Sequence, residues 1–406
     1  MYSFVPRWVF IVFFIGVLGI PSSGRSESIF SINGLGESIY GATARSMGMG
    51  TVTLGVADDQ NLSVLNPALS SLQSLTTASF TYQPERYAVQ DAVTKTHFNG
   101  SLFPHFKLSI PLPSRYSMSL GYVQETDYDY LTSKTFLDED EPYRSDIEGS
   151  GGLYSVRLSV AGKWQRLAFG LGLKYYFGTT DQTWYRDFAN PDFVDSEDHI
   201  QAKITGMGMY SGFLWRLHDD LALGGIYAPK ATLDQETEIT AIYSTEPITQ
   251  QHEATIPSQY GVGAYYKAMA NLKVAADMVV TNWSEFEING KQSHQLEYID
   301  TARFSVGVEY LPSIDPRRNY FLRMPLRAGY YTQPYYYKDA DGDKIREHFF
   351  SIGWGMPLKG RFGIVDVAVQ WGKRGSVEPN TVEETITRIA ISISGSEKWG
   401  KRRKWY

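Results

Sequence analysis

From Leu75 onward the chain alternates apolar and polar positions with a period of two. Leu272, Val274, Ala276, Met278 and Val280 fall on one face, with Lys273, Ala275, Asp277 and Thr281 on the other. Val365, Val367, Val369 and Trp371 likewise oppose Asp366 and Gln370, and Tyr154, Val156, Leu158, Val160 and Trp164 oppose Ser155, Arg157, Ser159 and Lys163. Such segments are strands with one buried face. A soluble sandwich and a membrane barrel share this pattern, and strand length separates them. Several runs reach the ~9 to 11 residues that a tilted spanning strand needs, whereas globular strands average about five or six. Short connections (residues 113–115, 164–166, 217–220, 269–271 and 359–361) alternate with long polar ones (136–148, 187–199, 236–250, 287–295, 338–344 and 373–381). Short turns on one rim and long loops on the other predict an all-β fold, a transmembrane antiparallel barrel of about fourteen strands.

Charges of both signs fall on the inferred inner face: Arg157, Lys174, Lys273, Asp277, Arg303, Glu309, Arg323, Arg327, Asp366 and Arg388. They imply a filled lumen. Residues 41–69 are the candidate filling. Small residues crowd the first half (Gly41, Ala42, Ala44, Gly48, Gly50), Asp58 and Asp59 follow, and the segment closes on Asn66-Pro67-Ala68. Glycine permits close backbone approach and Asn-Pro starts a turn, so the segment reads as a compact plug. Asp58 and Asp59 either pair with wall arginines or leave those arginines to pair across neighbouring strands. Pro104, inside the second strand run, either sits at a bulge and leaves a local gap in the wall or precedes the true start of the strand.

Composition adds the address. Residues 1–24 carry one positive charge (Arg7), an apolar run over 8–20 and a small-residue exit at Ser22 and Gly24. This is a secretory signal, too short for the ~20 residues of a spanning helix. No later apolar run reaches that length, so any membrane crossing must be a closed barrel. The absence of cysteine excludes disulfides, cysteine-ligated zinc and lipid attachment through cysteine. A net charge of -6 argues against a nucleic-acid partner. An aromatic content of 14% beside a mean hydropathy of -0.28 suits a barrel with aromatic girdles. The seven histidines are scattered without metal-binding spacing, and no G-x-S-x-G elbow is present, so no enzyme, metal or cofactor is expected. Asp339-Ala340-Asp341-Gly342-Asp343 places its glycine too early for an EF-hand loop and reads as an external turn. The acidic run 138–141 reads as a solvated loop tip.

Arg45, Ser46 and Met47-Gly48-Met49-Gly50, followed by Ala57-Asp58-Asp59 and Asn66-Pro67-Ala68, resemble the N-terminal hatch of the FadL-type long-chain fatty-acid transporters, which include TodX-type aromatic-hydrocarbon channels. Residues 256–286, with Pro257-Ser258-Gln259-Tyr260-Gly261-Val262-Gly263, Asn271-Leu272, Ala275-Ala276-Asp277 and Asn282-Trp283-Ser284, resemble that family's eighth and ninth strands. The resemblance implies a signal peptide (1–24), a hatch (25–74), a transmembrane barrel (75–399) and a basic C-terminal tail (400–406). It implies passive uptake of a hydrophobic small molecule, held near Ile29, Phe30, Ile32 and Leu35 and released sideways through a kink in the third strand. That run, residues 116–129, offers only Gly121 as a kink device. Pro104 lies in the preceding strand, and the two mark the candidate wall opening. Contacts with outer-membrane lipids and lipopolysaccharide, insertion by the barrel-assembly machinery and a monomeric state are the corresponding partner expectations. The same hatch signature occurs in PorV-like barrels that anchor or shuttle secreted proteins, and an interaction protein of that kind is the alternative.

Overall fold

The computed structural model describes residues 28–397 apart from 60–61, 137–141, 191, 243–245, 293–295, 316 and 359–362. The signal at 1–24, the acidic tip 138–141, the turn at 359–361, His294 and the tail at 400–406 lie outside the described residues.

Fourteen antiparallel staves close into a barrel. They are β1 (Thr76–Gln90), β2 (Lys95–Pro111), β3 (Tyr116–Gln124, resuming at Tyr130–Phe136), β4 (Tyr143–Trp164), β5 (Leu167–Phe188), β6 (Ser196–Arg216) and β7 (Leu221–Ala228 with Ala231–Thr240). There follow β8 (Ile248–Ile256 with Gln259–Met269), β9 (Leu272–Thr281), β10 (Thr301–Tyr310), β11 (Leu326–Lys338), β12 (Lys344–Pro357), β13 (Gly363–Gly375) and β14 (Glu383–Glu397). β14 pairs with β1 from Glu383↔Gln90 to Glu397↔Thr76, which leaves no free edge. β7 and β8 each break at a proline, Pro229 and Pro257, because proline has no amide to give the ladder.

The period of two sorts the wall as the sequence predicts. Val156, Leu158, Val160, Leu171, Leu173, Val262, Val306 and Ile352 are exposed on the outside, with Tyr116, Trp164, Trp215, Tyr266 and Tyr310 at the rim that carries both barrel ends. Small hydroxyls and the buried charges face inward. This is an apolar band closed by an aromatic girdle, the surface that hydrocarbon requires. β4, β5 and β6 are 22, 22 and 21 residues long. Roughly ten residues suffice to span, so their outer halves carry the same ladders beyond the band.

Three expectations are corrected. The run 116–129 is not one strand: β3 stops at Gln124, residues Thr126–Asp127 turn inward to pair with Glu37–Ser38, and the stave resumes at Tyr130. β2 runs straight through Pro104, where Phe103 and Pro104 together oppose Tyr82; the bulge absorbs the missing donor, so the strand does not begin after the proline. Arg323 is not on a lumenal strand face. It lies in a 3-10 turn, Tyr320–Arg323, within the β10–β11 connection, which at residues 311–325 is long although it sits on the rim of short turns.

Most of residues 28–72, apart from 60–61, pack inside the wall. A 3-10 turn (Ile29–Ile32), the two-residue strand Glu37–Ser38, the helix α1 (Ala44–Gly48) and a second 3-10 turn (Pro67–Leu72) follow one another there. Thr43 starts α1 with a capping box, its Oγ1 accepting from Ser46 N at 3.0 Å. Gly50 takes φ +66, and an ideal Cβ on it would lie 2.5 Å from Tyr330 N in the wall. Only glycine allows that approach.

Candidate functional site

Two buried clusters tie the N-terminal segment to the barrel. The first seats α1 near the terminal rim. Arg45 forms a bidentate pair with Asp58 (2.8 and 2.5 Å) and reaches Glu309 at 3.1 Å. Lys273 joins Asp58 to Glu309 at 3.4 and 2.7 Å, and Arg327 joins Glu309 to Asp366 at 2.8 and 2.6 Å. The expected pairing of Asp58 with a wall arginine is corrected, since its partners are the segment's own Arg45 and the wall's Lys273, while Arg327 pairs along the wall with Glu309 on the adjacent stave and Asp366 two staves away. Asp59 is exposed. Burial pushes the Asp58 carboxyl up, but Arg45 with Lys273 outweighs it and holds it below the usual carboxylate range. Asp277 accepts from Thr53 N and Leu54 N at 2.7 and 2.8 Å.

The closing motif works through Asn66. Its amide nitrogen donates to Leu54 O (2.9 Å) and Phe213 O (3.0 Å), and its Oδ1 accepts from Ala68 N at 3.0 Å. Pro67 opens the 3-10 turn, where its missing amide costs nothing, and Ala68 is fully buried. Gly48 passes the wall so closely that an ideal Cβ would lie 3.1 Å from Gly353 Cα.

The second cluster lies farther from the terminal rim and involves the first described residues. Ser28 and the amide of Ile29 donate to Glu384, the latter at 2.8 Å. Glu37 accepts from both Arg374 and Arg388, and from Tyr87 OH at 3.2 Å. Arg374 continues to Glu347 (2.6 Å) and Glu384 (3.1 Å), and Arg388 to Glu85 (2.8 Å). Burial would raise the Glu37 carboxyl, but Arg374 and Arg388 bring it down to about 2.

Beside these charges sits an aromatic cluster. Phe30 and Leu35 are buried among Trp283, Phe286, Tyr335, Tyr336, Tyr337 and Ile345. Tyr335 and Tyr337 hydroxyls donate to Phe30 O at 3.1 and 3.0 Å, and Tyr336 donates to Asn33 O and Gly36 O at 2.7 and 2.8 Å. Three consecutive buried tyrosines cannot belong to a regular strand. The β11–β12 register slips between Pro334 and Lys338 and frees all three from the alternation. Ile29 packs against this cluster, and Ile32 is half-buried near it in sequence but outside it.

The same stretch of chain meets the break in β3. Glu37↔Asp127 and Ser38↔Thr126 form a short antiparallel ladder, while β2 pairs with β3 only from His105↔Val123 to Pro111↔Ser117. The inward excursion stays bonded to β4 on its other side, with Glu125 N donating to Leu153 O at 2.8 Å and Tyr128 N to Gly151 O at 2.9 Å. Pro104 therefore adjoins the end of the β2–β3 ladder. Gly121 lies within the regular ladder, and a Cβ there would meet only Phe106 O at an ordinary 3.5 Å. The kink rests instead on β4: Gly151 and Gly152 take φ +112 and +155, and an ideal Cβ on Gly152 would lie 2.4 Å from Thr126 O. Sequence reasoning missed Glu37, Arg374, Glu347 and Glu384. The visible signals were the Gly149-Ser150-Gly151-Gly152 run and the triple tyrosine, each a violation of strand chemistry.

The arrangement is a latch of ion pairs, tyrosine hydroxyls and one strand pairing, built between an N-terminal segment and a closed barrel whose third stave turns inward. Together these features define an outer-membrane-type β-barrel of the FadL-like fold. The chain belongs to the BamG family, whose model matches residues 5–406. A FadL homologue of Pseudomonas aeruginosa superimposes with a TM-score of 0.61 at 14% identity, covering 88% of this chain and 98% of that one. The Pseudomonas putida toluene transporter TodX gives 0.60 at 15% identity (89% and 99% covered), and the Ralstonia pickettii toluene transporter TbuX gives 0.58 at 13% (89% and 98%). At these identities the likeness is one of fold. No curated protein sequence matches the chain.

Proposed function

We propose that this protein is a bacterial outer-membrane channel for passive uptake of hydrophobic small molecules, of the class of long-chain fatty acids or aromatic hydrocarbons, with residues 28–74 as its hatch. The observation that carries the reading is the juxtaposition at the third stave: the β2–β3 ladder ends beside Pro104 where residues 37–38 hold the β3 excursion, next to the aromatic cluster around Phe30 and Leu35. A molecule released sideways there enters hydrocarbon without re-exposing its surface to water, a saving of ~25 cal/mol per Å² of apolar area. The fold neighbours described as toluene transporters support the substrate class. In the conformation described, Phe30 and Leu35 fill their own cluster, so passage requires residues 28–40 to move.

The alternative reading is a barrel that serves as an interaction or anchoring protein, which would need no passage through an interior crossed by buried ion pairs and packed by the chain's own side chains. Uptake of labelled fatty acid and of toluene by cells lacking their own transporter separates the two. The Ser38→Cys/Thr126→Cys pair, adjacent in the ladder, provides the control: a channel loses uptake on oxidation and regains it on reduction. Transport equal to background for both substrates, with the unmutated barrel inserted, sinks the channel reading.

A further inference from the structure

Among the described residues, the rim that carries both barrel ends has one long connection. Residues 311–325 leave the barrel at Tyr310 and return at Leu326, a ladder pair whose side chains are both exposed on the outer face. Between them Ile314, Tyr320, Phe321 and Leu322 are 58, 39, 73 and 45% exposed. The turn that displays them is ordered: Asn319 Oδ1 accepts from Phe321 N at 3.2 Å, and Ser313 N donates to Leu322 O at 2.7 Å. Arg317 and Arg318 are exposed beside it, and the Arg323 guanidinium lies 5.6 Å from the Tyr320 ring. Asp315 is the one acid of the connection, and its Oδ1 accepts from Arg317 N at 2.9 Å. With Arg323 the connection carries three arginines against that one acid.

We propose that the described residues of this connection, 311–315 and 317–325, form an interfacial anchor, which sets Phe321 and Leu322 into the leaflet at this rim and places Arg317 and Arg318 on the phosphates of anionic phospholipids. Two features select lipid. The patch is continuous with the lipid-facing band through Tyr310 and Leu326, and its aromatic and arginine residues are those that favour the headgroup region. Its excess of positive charge complements an anionic surface, where each arginine strengthens partitioning about fivefold. The inference is independent of whether the barrel conducts anything.

The chain has no cysteine, so Phe321→Cys accepts a single environment-sensitive fluorophore in the full-length protein. Leu322→Cys serves as the second site, and heat-modifiable gel mobility verifies that each variant forms a barrel. In nanodiscs containing phosphatidylglycerol the label should emit to the blue, lose access to iodide several-fold and be quenched by lipids spin-labelled near the carbonyl. Adding Arg317→Glu and Arg318→Glu, or using phosphatidylcholine alone, should restore iodide access. A water-exposed label in phosphatidylglycerol overturns the anchor. Burial that is equal in both lipids and indifferent to the arginines overturns the recognition of anionic headgroups. A label exposed in nanodiscs but shielded in native membranes overturns the lipid assignment in favour of a protein partner.

Discussion

Glu37 does two things at once: its backbone pairs with Asp127 of the β3 excursion, and its carboxylate holds Arg374 and Arg388. Removing one partner of a buried ion pair costs about 3–5 kcal/mol, because the guanidiniums left behind are uncompensated. Glu37→Gln should therefore loosen residues 28–40 while leaving the barrel intact, seen as faster hydrogen exchange there with unchanged heat-modifiable mobility. Unchanged exchange would place the latch in the tyrosine hydroxyls instead. The same carboxylate sets a pH response. Its folded pKa lies below the ordinary value, so its contribution is complete above about pH 4.5 and is lost as pH falls toward about 2. Exchange at residues 28–40 should accelerate across that window in the unmutated protein and not in Glu37→Gln.

At the level of elements, the staves were legible and their interruptions were not. Alternation over residues such as Leu272 to Val280 is imposed by burial of one face, so it marks each strand wherever the face is lipid or core. An excursion such as Thr126–Asp127 leaves no local mark, because the residues that permit it belong to another stave. Gly121 drew attention as the glycine inside the kinked strand, yet the steric requirement falls on Gly152 across the ladder. Gly50, Asn66 and Pro67 are visible in the sequence because each meets a local backbone demand, whereas the close pass of Gly48 is set by Gly353 of the wall. Glu37 and Arg374, 337 positions apart, meet only through closure of the barrel. Two substitutions separate these cases. Gly152→Val should displace the Thr126 carbonyl and lower the yield of the Ser38→Cys/Thr126→Cys disulfide at least several-fold. Gly121→Ala, with only an ordinary contact to meet, should leave that yield unchanged. Equal yields in both would show that the excursion does not depend on the β4 glycines.

For the whole molecule, closure and filling are separate achievements. The seam between β14 and β1 is made entirely by wall residues, from Glu383↔Gln90 to Glu397↔Thr76, so closure does not need the N-terminal segment, which supplies ladder partners only to the β3 excursion. Near the terminal rim much of what the segment covers is polar: Asp277, Glu309, Arg327 and Asp366 would face water once it left, and water satisfies them. Deleting residues 28–74 should consequently give a barrel that still shifts on a gel when boiled but conducts small ions across a planar bilayer, where the complete chain is silent. Asn66→Ala removes two bonds to carbonyls and one cap, each worth about 1 kcal/mol, and should produce intermittent openings of the same size. Conduction by the complete chain would mean the segment does not seal the lumen. Failure of the deleted chain to form any heat-modifiable species would mean that the segment is part of the folding core, and that its buried ion pairs specify the barrel as well as fill it.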